Sequence, residues 1–198
     1  MEIDAAGLSV EQAYKLLTGI IVPRPIAWVT TLNASGRVNL APFSAFTFVS
    51  HRPPMVAISV GVKASGMKDT GHNILATKEF VVNVADQSFL EAVNASSVEY
   101  PPEVSEVDTL GLATCAGTVV QTPRLADVPV SLECRLHSCI DFGEQPSRLM
   151  VGEVLRFHVR DGLLVNGKIR TAELDPICRL GGPLYATLGG IVTMPRRA

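Results

Sequence analysis

The sequence is short of charge, of aromatics and of metal-ligand clusters, and each shortage excludes something. Charged residues make up 18% and aromatics 6% of the 198 residues. The 17 Lys and Arg against 19 Asp and Glu leave a formal net charge of −2. A protein that grips nucleic acid by neutralising phosphates is usually basic, so no nucleic-acid partner is expected. No run reaches the ~18 consecutive apolar residues of a membrane span, and no membrane partner is expected. The N-terminus Met1-Glu2-Ile3-Asp4 is acidic, which is not the basic start of a signal peptide. The cysteines Cys115, Cys134, Cys139 and Cys178 form no Cys-x-x-Cys pair. They read as reduced, mostly buried thiols of a cytoplasmic protein. His51, His72, His137 and His158 are scattered singly, without zinc spacing, so no metal is expected. Gly-x-Gly-x-x-Gly, a Walker loop, His-Glu-x-x-His and Gly-x-Ser-x-Gly are all missing.

What is present is apolar bulk. Hydrophobic residues make up 47%, the opposite of a disordered composition. The length suits one domain over 1–198, able to hide roughly 70% of its unfolded surface. Covering a lone domain usually takes about 25% charged residues. The shortfall predicts a buried interface, with a homodimer as the simplest closed form.

The chain opens with a helix. Ser9-Val10-Glu11-Gln12 is a capping box, Tyr14, Leu16 and Leu17 give an apolar side, and Gly19 ends it. Strand patterns follow. Ile26 to Leu32 and Val38 to Val49 form a hairpin about Asn33-Ala34-Ser35-Gly36, and Pro42 marks an edge or a bulge. Met55 to Val60 is a third strand, and Asp69-Thr70 caps a short helix through Ala76. Phe80 to Ala85 is a buried strand, and Ser88 opens a helix to about Ala95. Val98 to Asp108 reads as a solvated acidic loop. Strands are expected at Leu112 to Val120, Val130 to Phe142 and Met150 to Val159, the last two joined by Gly143-Glu144-Gln145-Pro146. A final extended segment covers Leu188 to Met194, and the basic tail to Ala198 is frayed. Many strands without β-α-β alternation predict a mainly β, antiparallel barrel with flanking helices.

Polar residues gather on the first strands and the loop after them: Arg24, Trp28, Thr30, Asn39, Ser44, Thr47, Ser59, Lys68, Asp69, Thr70 and Asn73. A helix start carrying a lysine and a hydroxyl suits a phosphate, since free N–H groups and one cation converge there. It equally suits a helix capped by Asp69 or Thr70 with Lys68 in solvent. The residues alone do not choose.

The order of several segments resembles the flavin reductase-like, FMN-binding split-barrel family. They are Pro23-Arg24-Pro25-Ile26-Ala27-Trp28-Val29-Thr30-Thr31, Asn39-Leu40-Ala41-Pro42-Phe43-Ser44, Pro53-Pro54, and Lys68-Asp69-Thr70 with Asn73. Glu79-Phe80-Val81-Val82-Asn83, Leu132-Glu133-Cys134, Val151-Gly152-Glu153-Val154 and Arg179-Leu180-Gly181-Gly182 with Tyr185 continue the match. The resemblance implies a six-stranded Greek-key split barrel that dimerises, with FMN, less favourably FAD, in a groove near the dimer interface. Asn39, Ala41, Pro42, Phe43, Ser44 and Phe46 would face the isoalloxazine ring, with Trp28, Thr30 and Ser59 nearby. Lys68, Asp69, Thr70 and Asn73 would hold the phosphate side, with Arg24 a second cation. Arg179 and Tyr185 would stand near the flavin, from this subunit or its partner. The implied activity is an NAD(P)H-dependent flavin reductase; the alternative is an FMN-binding electron or flavin carrier without a nicotinamide site. That alternative arises because Gln145-Pro146-Ser147-Arg148-Leu149-Met150 lacks the histidine that many such reductases carry there. Ser147 or Arg148 occupies that neighbourhood, Arg148 as a nicotinamide-phosphate contact or as a surface residue. No catalytic side chain is assigned, because the flavin would carry the chemistry.

Overall fold

The computed structural model describes residues 1–63, 66–144 and 147–195. Helix α1 (Val10–Ile20) begins at Ser9, whose hydroxyl accepts the Gln12 N–H while the Gln12 side chain accepts the Ser9 N–H. It runs one residue past Gly19. None of its residues is buried. Val10, Tyr14, Leu17 and Ile21 form an exposed apolar stripe, at the i, i+4, i+7, i+11 spacing of one helix face.

The main sheet has seven antiparallel strands: β1 (Ala27–Leu32), β2 (Val38–Phe43), β3 (Phe46–His51), β4 (Pro54–Val60), β5 (Glu79–Val84), β6 (Val130–Phe142) and β7 (Ser147–Val159). Their order across the sheet is β2-β1-β5-β6-β7-β4-β3. The count of six merges β2 and β3. The run 38–49 breaks at Ser44-Ala45, and the chain crosses there from one sheet edge to the other. Pro42 sits on edge strand β2, paired with Trp28, where its missing N–H leaves no ladder bond unmade. The sheet is an open barrel with the two edges joined by a two-residue bend.

Strand β1 is buried on both faces because two cores flank it. Ala27 and Val29 join Phe43, Ile58, Phe80, Val82, Met150 and Val154 inside the barrel. Ile26 and Trp28 join Leu40, Val93, Leu125 and Ile177 outside it. Gly152 on β7 is required where it stands: a Cβ there would come within 2.3 Å of the Phe80 ring.

Several expectations are corrected. Helix α2 spans Asp69–Thr77 with Lys68 at the cap position, and no side chain caps it. Asp69 instead pairs with Lys63 at 3.0 Å. A 3-10 turn (Gln87–Phe89), capped by Asp86, precedes helix α3 (Leu90–Ala95). Within Leu112 to Val120 only Thr114–Cys115 is strand, since 118–120 wraps the Glu133 carboxylate. The acidic stretch holds a short helix, α4 (Glu106–Thr109), with Glu106 buried. Leu188 to Met194 is not strand; the late pairing is Cys178–Arg179 with Tyr185–Ala186. Of the cysteines, all free, only Cys134 is buried and Cys139 is exposed. Gln145, Pro146 and the tail from Arg196 lie outside the described residues. Among the described residues no helix is long and apolar enough to cross a membrane.

Candidate functional site

The bend between β2 and β3 forms the floor of a groove of about 870 Å³. Pro42 to Thr47 line it from below, Ser59, Val62 and Leu149 from one side, and Tyr14, Leu17, Thr18 and Ile21 of the α1 segment from the other. The groove exists because the two sheet edges diverge at Ser44-Ala45 instead of pairing. The N–H groups of Ser44 and Ala45 take part in no hydrogen bond among the described residues. They are open donors on an apolar floor.

At one end the groove meets the amino end of α2. Lys68 lines both the groove and a narrow neck of about 100 Å³, which also takes in Asn39, Ala41, Asp69, Thr70 and Ser97. The Lys68 ammonium lies 6.0 Å from the Phe43 ring centroid. Thr70 is buried, and its hydroxyl accepts from Asn39 Nδ2 at 3.0 Å. Asn73 is buried behind it, donating to Thr31 Oγ1 at 3.0 Å. Glu106 also lines the neck. Burial pushes its carboxyl above the ordinary range, the Leu40 N–H at 2.9 Å opposes this, and Asp69 adds to it.

A side cavity of about 180 Å³ opens off the groove, sharing Tyr14, Thr18, Arg24, Pro42 and Ser44 with it and Pro42 and Ser97 with the neck. Arg179 and Tyr185 line this cavity rather than the groove. Arg24 is committed to the scaffold. Its guanidinium donates to the carbonyls of Thr18, Ile21 and Leu180 and to Ser44 Oγ. It therefore ties α1 and the late segment to the bend, instead of supplying a cation to a phosphate at the neck.

Thus Pro42, Phe43, Ser44, Phe46, Ser59 and Lys68 come together in the groove, and Asn39, Ala41, Asp69 and Thr70 at its neck. Trp28 and Thr30 do not join them. Trp28 is fully buried and its indole N–H donates to Ser96 Oγ at 2.9 Å; the Thr30 hydroxyl donates to the Pro123 carbonyl at 2.7 Å. Both point from β1 into the outer core, so neither offers a hydroxyl or ring to the groove. Arg148 pairs with Asp141 at 3.0 Å and touches Met67 Sδ, as a hairpin residue. The α1 wall and the Ser96–Tyr100 lip of the neck were not expected. The stripe of α1 was the legible signal for the first; nothing in the sequence marked the second.

Comparison with known proteins fits this geometry. A family model described as "Flavin reductase like domain" matches residues 19–173. An uncharacterized protein of Halalkalibacterium halodurans is 40% identical over 201 residues, covering 99% of this chain and 96% of its own length. The crystal structure of nitrilotriacetate monooxygenase component B from Bacillus cereus matches with a TM-score of 0.94 at 36% identity, over 98% of both chains. That of Pseudomonas fluorescens 2-nitrobenzoate 2-nitroreductase matches with a TM-score of 0.90 at 33% identity, over 100% of this chain and 96% of the other. The open, seam-joined sheet is a split barrel of the flavoprotein type. The chain belongs to the flavin reductase-like family.

Proposed function

We propose that the protein, a single cytoplasmic domain, binds FMN and acts as an NAD(P)H-dependent flavin reductase, with FAD the less favoured flavin. One observation carries this reading: an apolar groove with open backbone donors on its floor runs into the amino end of helix α2, where Lys68 stands. Such a cleft matches a ring system that is apolar on its faces, polar along one edge and anionic at its tail. When bound, the flavin supplies the hydride acceptor. The chain's own residues orient and shield it. The Ser44 and Ala45 N–H groups would meet the polar edge of the ring. Phe43 and Phe46 would pack against it. Lys68 and the first N–H groups of α2 would hold the phosphate. Lys63 offsets the Asp69 charge beside that end. Tyr14, Leu17 and Ile21 would exclude water from one wall.

The exposed stripe of α1 supports a homodimer in which a second copy covers the groove's outer wall. Sedimentation should give twice the chain mass, and Leu17→Glu should shift it to the monomer.

The test of the flavin reading is the visible spectrum after soaking with FMN and desalting, followed by anaerobic mixing with NADH and with NADPH. A retained flavin band that bleaches with either donor is expected. A colourless protein overturns the assignment of the groove. A band that neither donor bleaches leaves the carrier reading, which the lack of any histidine in the groove lining favours.

A further inference from the structure

Arg179 is a cation that the groove leaves unused. The short strand Cys178–Arg179 pairs with Arg24–Pro25, which sets Arg179 opposite Arg24. Its guanidinium lies over the Tyr185 ring, 4.4 Å from the centroid. One of its terminal nitrogens, Nη2, donates to the Gly182 carbonyl at 2.6 Å. The Tyr185 hydroxyl in turn donates to Asn94 Oδ1 at 3.1 Å. The ring is pinned at its far end, and the guanidinium is held over it by the Gly182 carbonyl.

None of the ion pairs among the described residues uses Arg179. The side cavity that it lines contains no Asp or Glu, whereas the neck, which adjoins it at Pro42 and Ser97, carries Asp69, Glu99 and Glu106. Arg24, the other arginine of the cavity wall, already spends its donors on carbonyls and on Ser44. Arg179 is therefore a preorganised planar cation without a carboxylate of its own. A planar fork of this kind matches a carboxylate, which can accept two parallel N–H bonds.

The size and walls narrow the ligand further. A volume of about 180 Å³ is close to that of an engineered cavity of ~150 Å³ that takes up one benzene molecule. Ile26, Pro42, Leu180 and the Tyr185 ring supply apolar and aromatic surface. The volume is too small for a ribose and a diphosphate together. The cavity opens to the groove beside Ser44, next to the expected edge of the ring system.

We propose that this side cavity binds a small aromatic carboxylate, held by Arg179, as the second ligand of the site. The placement beside the flavin rests on the flavin reading of the groove; the cavity's anion preference does not. The probes are benzoate and its neutral isostere benzamide, titrated by calorimetry into the flavin-free and FMN-loaded protein. In the wild type, benzoate should bind at least about tenfold more tightly than benzamide in both forms, the size of one charge-assisted interaction. In the loaded form it should also shift the visible flavin band. Arg179→Met should abolish the preference, Arg179→Lys should restore part of it, and neither should change FMN affinity. Equal affinity for the two probes, or no heat with benzoate, overturns the proposal on the wild type alone. So does heat without a band shift in the loaded form, which would place the acid away from the groove. If Arg179→Met weakens FMN but not riboflavin, the anion of this cavity is the flavin phosphate and the proposal fails. Benzoate preference in a protein that takes up no flavin would overturn the flavin reading and leave the cavity's anion preference standing.

Discussion

Two glutamates are buried in this protein, and the fold treats them in opposite ways. Glu133, on β6 at the outer face of the barrel, is fully buried. Burial alone would raise its carboxyl, but the N–H groups of Thr118 and Val119 outweigh that, with His158 and the Thr118 hydroxyl adding to them, and hold it down at about 2. The geometry is dense: Thr118 N–H at 2.8 Å and its hydroxyl at 2.9 Å on one oxygen, Val119 N–H at 2.7 Å and Val120 N–H at 3.2 Å on the other. His158 Nε2 lies 2.6 Å from the first oxygen. Glu106, beside the neck, has only the Leu40 N–H and its own backbone N–H, with Lys63, to oppose burial and the Asp69 charge, so burial wins and its carboxyl titrates above the ordinary range. The number of donors aimed at a buried acid decides the sign, not the burial. One acid is a rivet; the other stands at the edge of a ligand site.

The largest way to break the comparison is Glu133→Ala. It leaves five hydrogen-bonding groups facing an empty space, and a loss of about 3 kcal/mol or more in denaturant unfolding is expected. Gly117→Ala attacks the same nest from the backbone. A Cβ there would lie 2.3 Å from the Val120 carbonyl oxygen and 2.8 Å from that of Thr122, neither of which can swing aside. A cost of about 2 kcal/mol is expected. The pH dependence separates the two acids by sign. Glu133, depressed from 4.5 to about 2, contributes stability that is present above pH 4.5 and lost as the pH falls toward 2. Glu106, raised above 4.5, contributes most below pH 4.5 and loses that contribution as the pH rises through its raised value. Glu133→Gln should therefore flatten the acid limb of a Tm-against-pH curve, and Glu106→Gln should remove the fall in stability that sets in above pH 4.5.

Smaller effects are expected at the neck. Lys68→Ala should weaken FMN about tenfold while leaving riboflavin, which has no phosphate, nearly unchanged; equal losses would move the phosphate elsewhere. Glu106→Gln keeps an acceptor for Leu40 and, at pH above the raised titration of the carboxyl, removes a negative charge beside the neck, so there FMN should bind about threefold tighter relative to riboflavin.

Much of the architecture was legible because it follows period and punctuation. The capping box at Ser9, the apolar β-branched run of β1 and the long β6–β7 hairpin all came through. So did the clustering of Pro42, Phe43, Ser44 and Lys68. What failed depended on contacts distant in sequence. Trp28 and Thr30 look like site residues because their strand pairs with β2, which carries the floor, yet a strand has two faces and the second core claims that one. Arg24 looks like a phosphate cation until three carbonyls surround it. Leu112 to Val120 has the composition of a strand, but the Glu133 carboxylate recruits its N–H groups and bends it. Glu106 looked solvated in an acidic stretch, and only the fold shows the Leu40 N–H waiting for it.

The two-residue bend at Ser44-Ala45 has one more consequence, which concerns solubility. Open sheets end in strands with unpaired backbone groups, and those edges invite other chains to add to them. Here the two end strands are neighbours along the chain; where they meet they line one cleft, and Ser105 and Glu106 cover Val38 and Leu40 of the β2 edge. A foreign strand that tried to pair with either there would have to enter that cleft and displace what fills it. Filling the groove and guarding the edges are then one event, and the emptied protein should be the more aggregation-prone form.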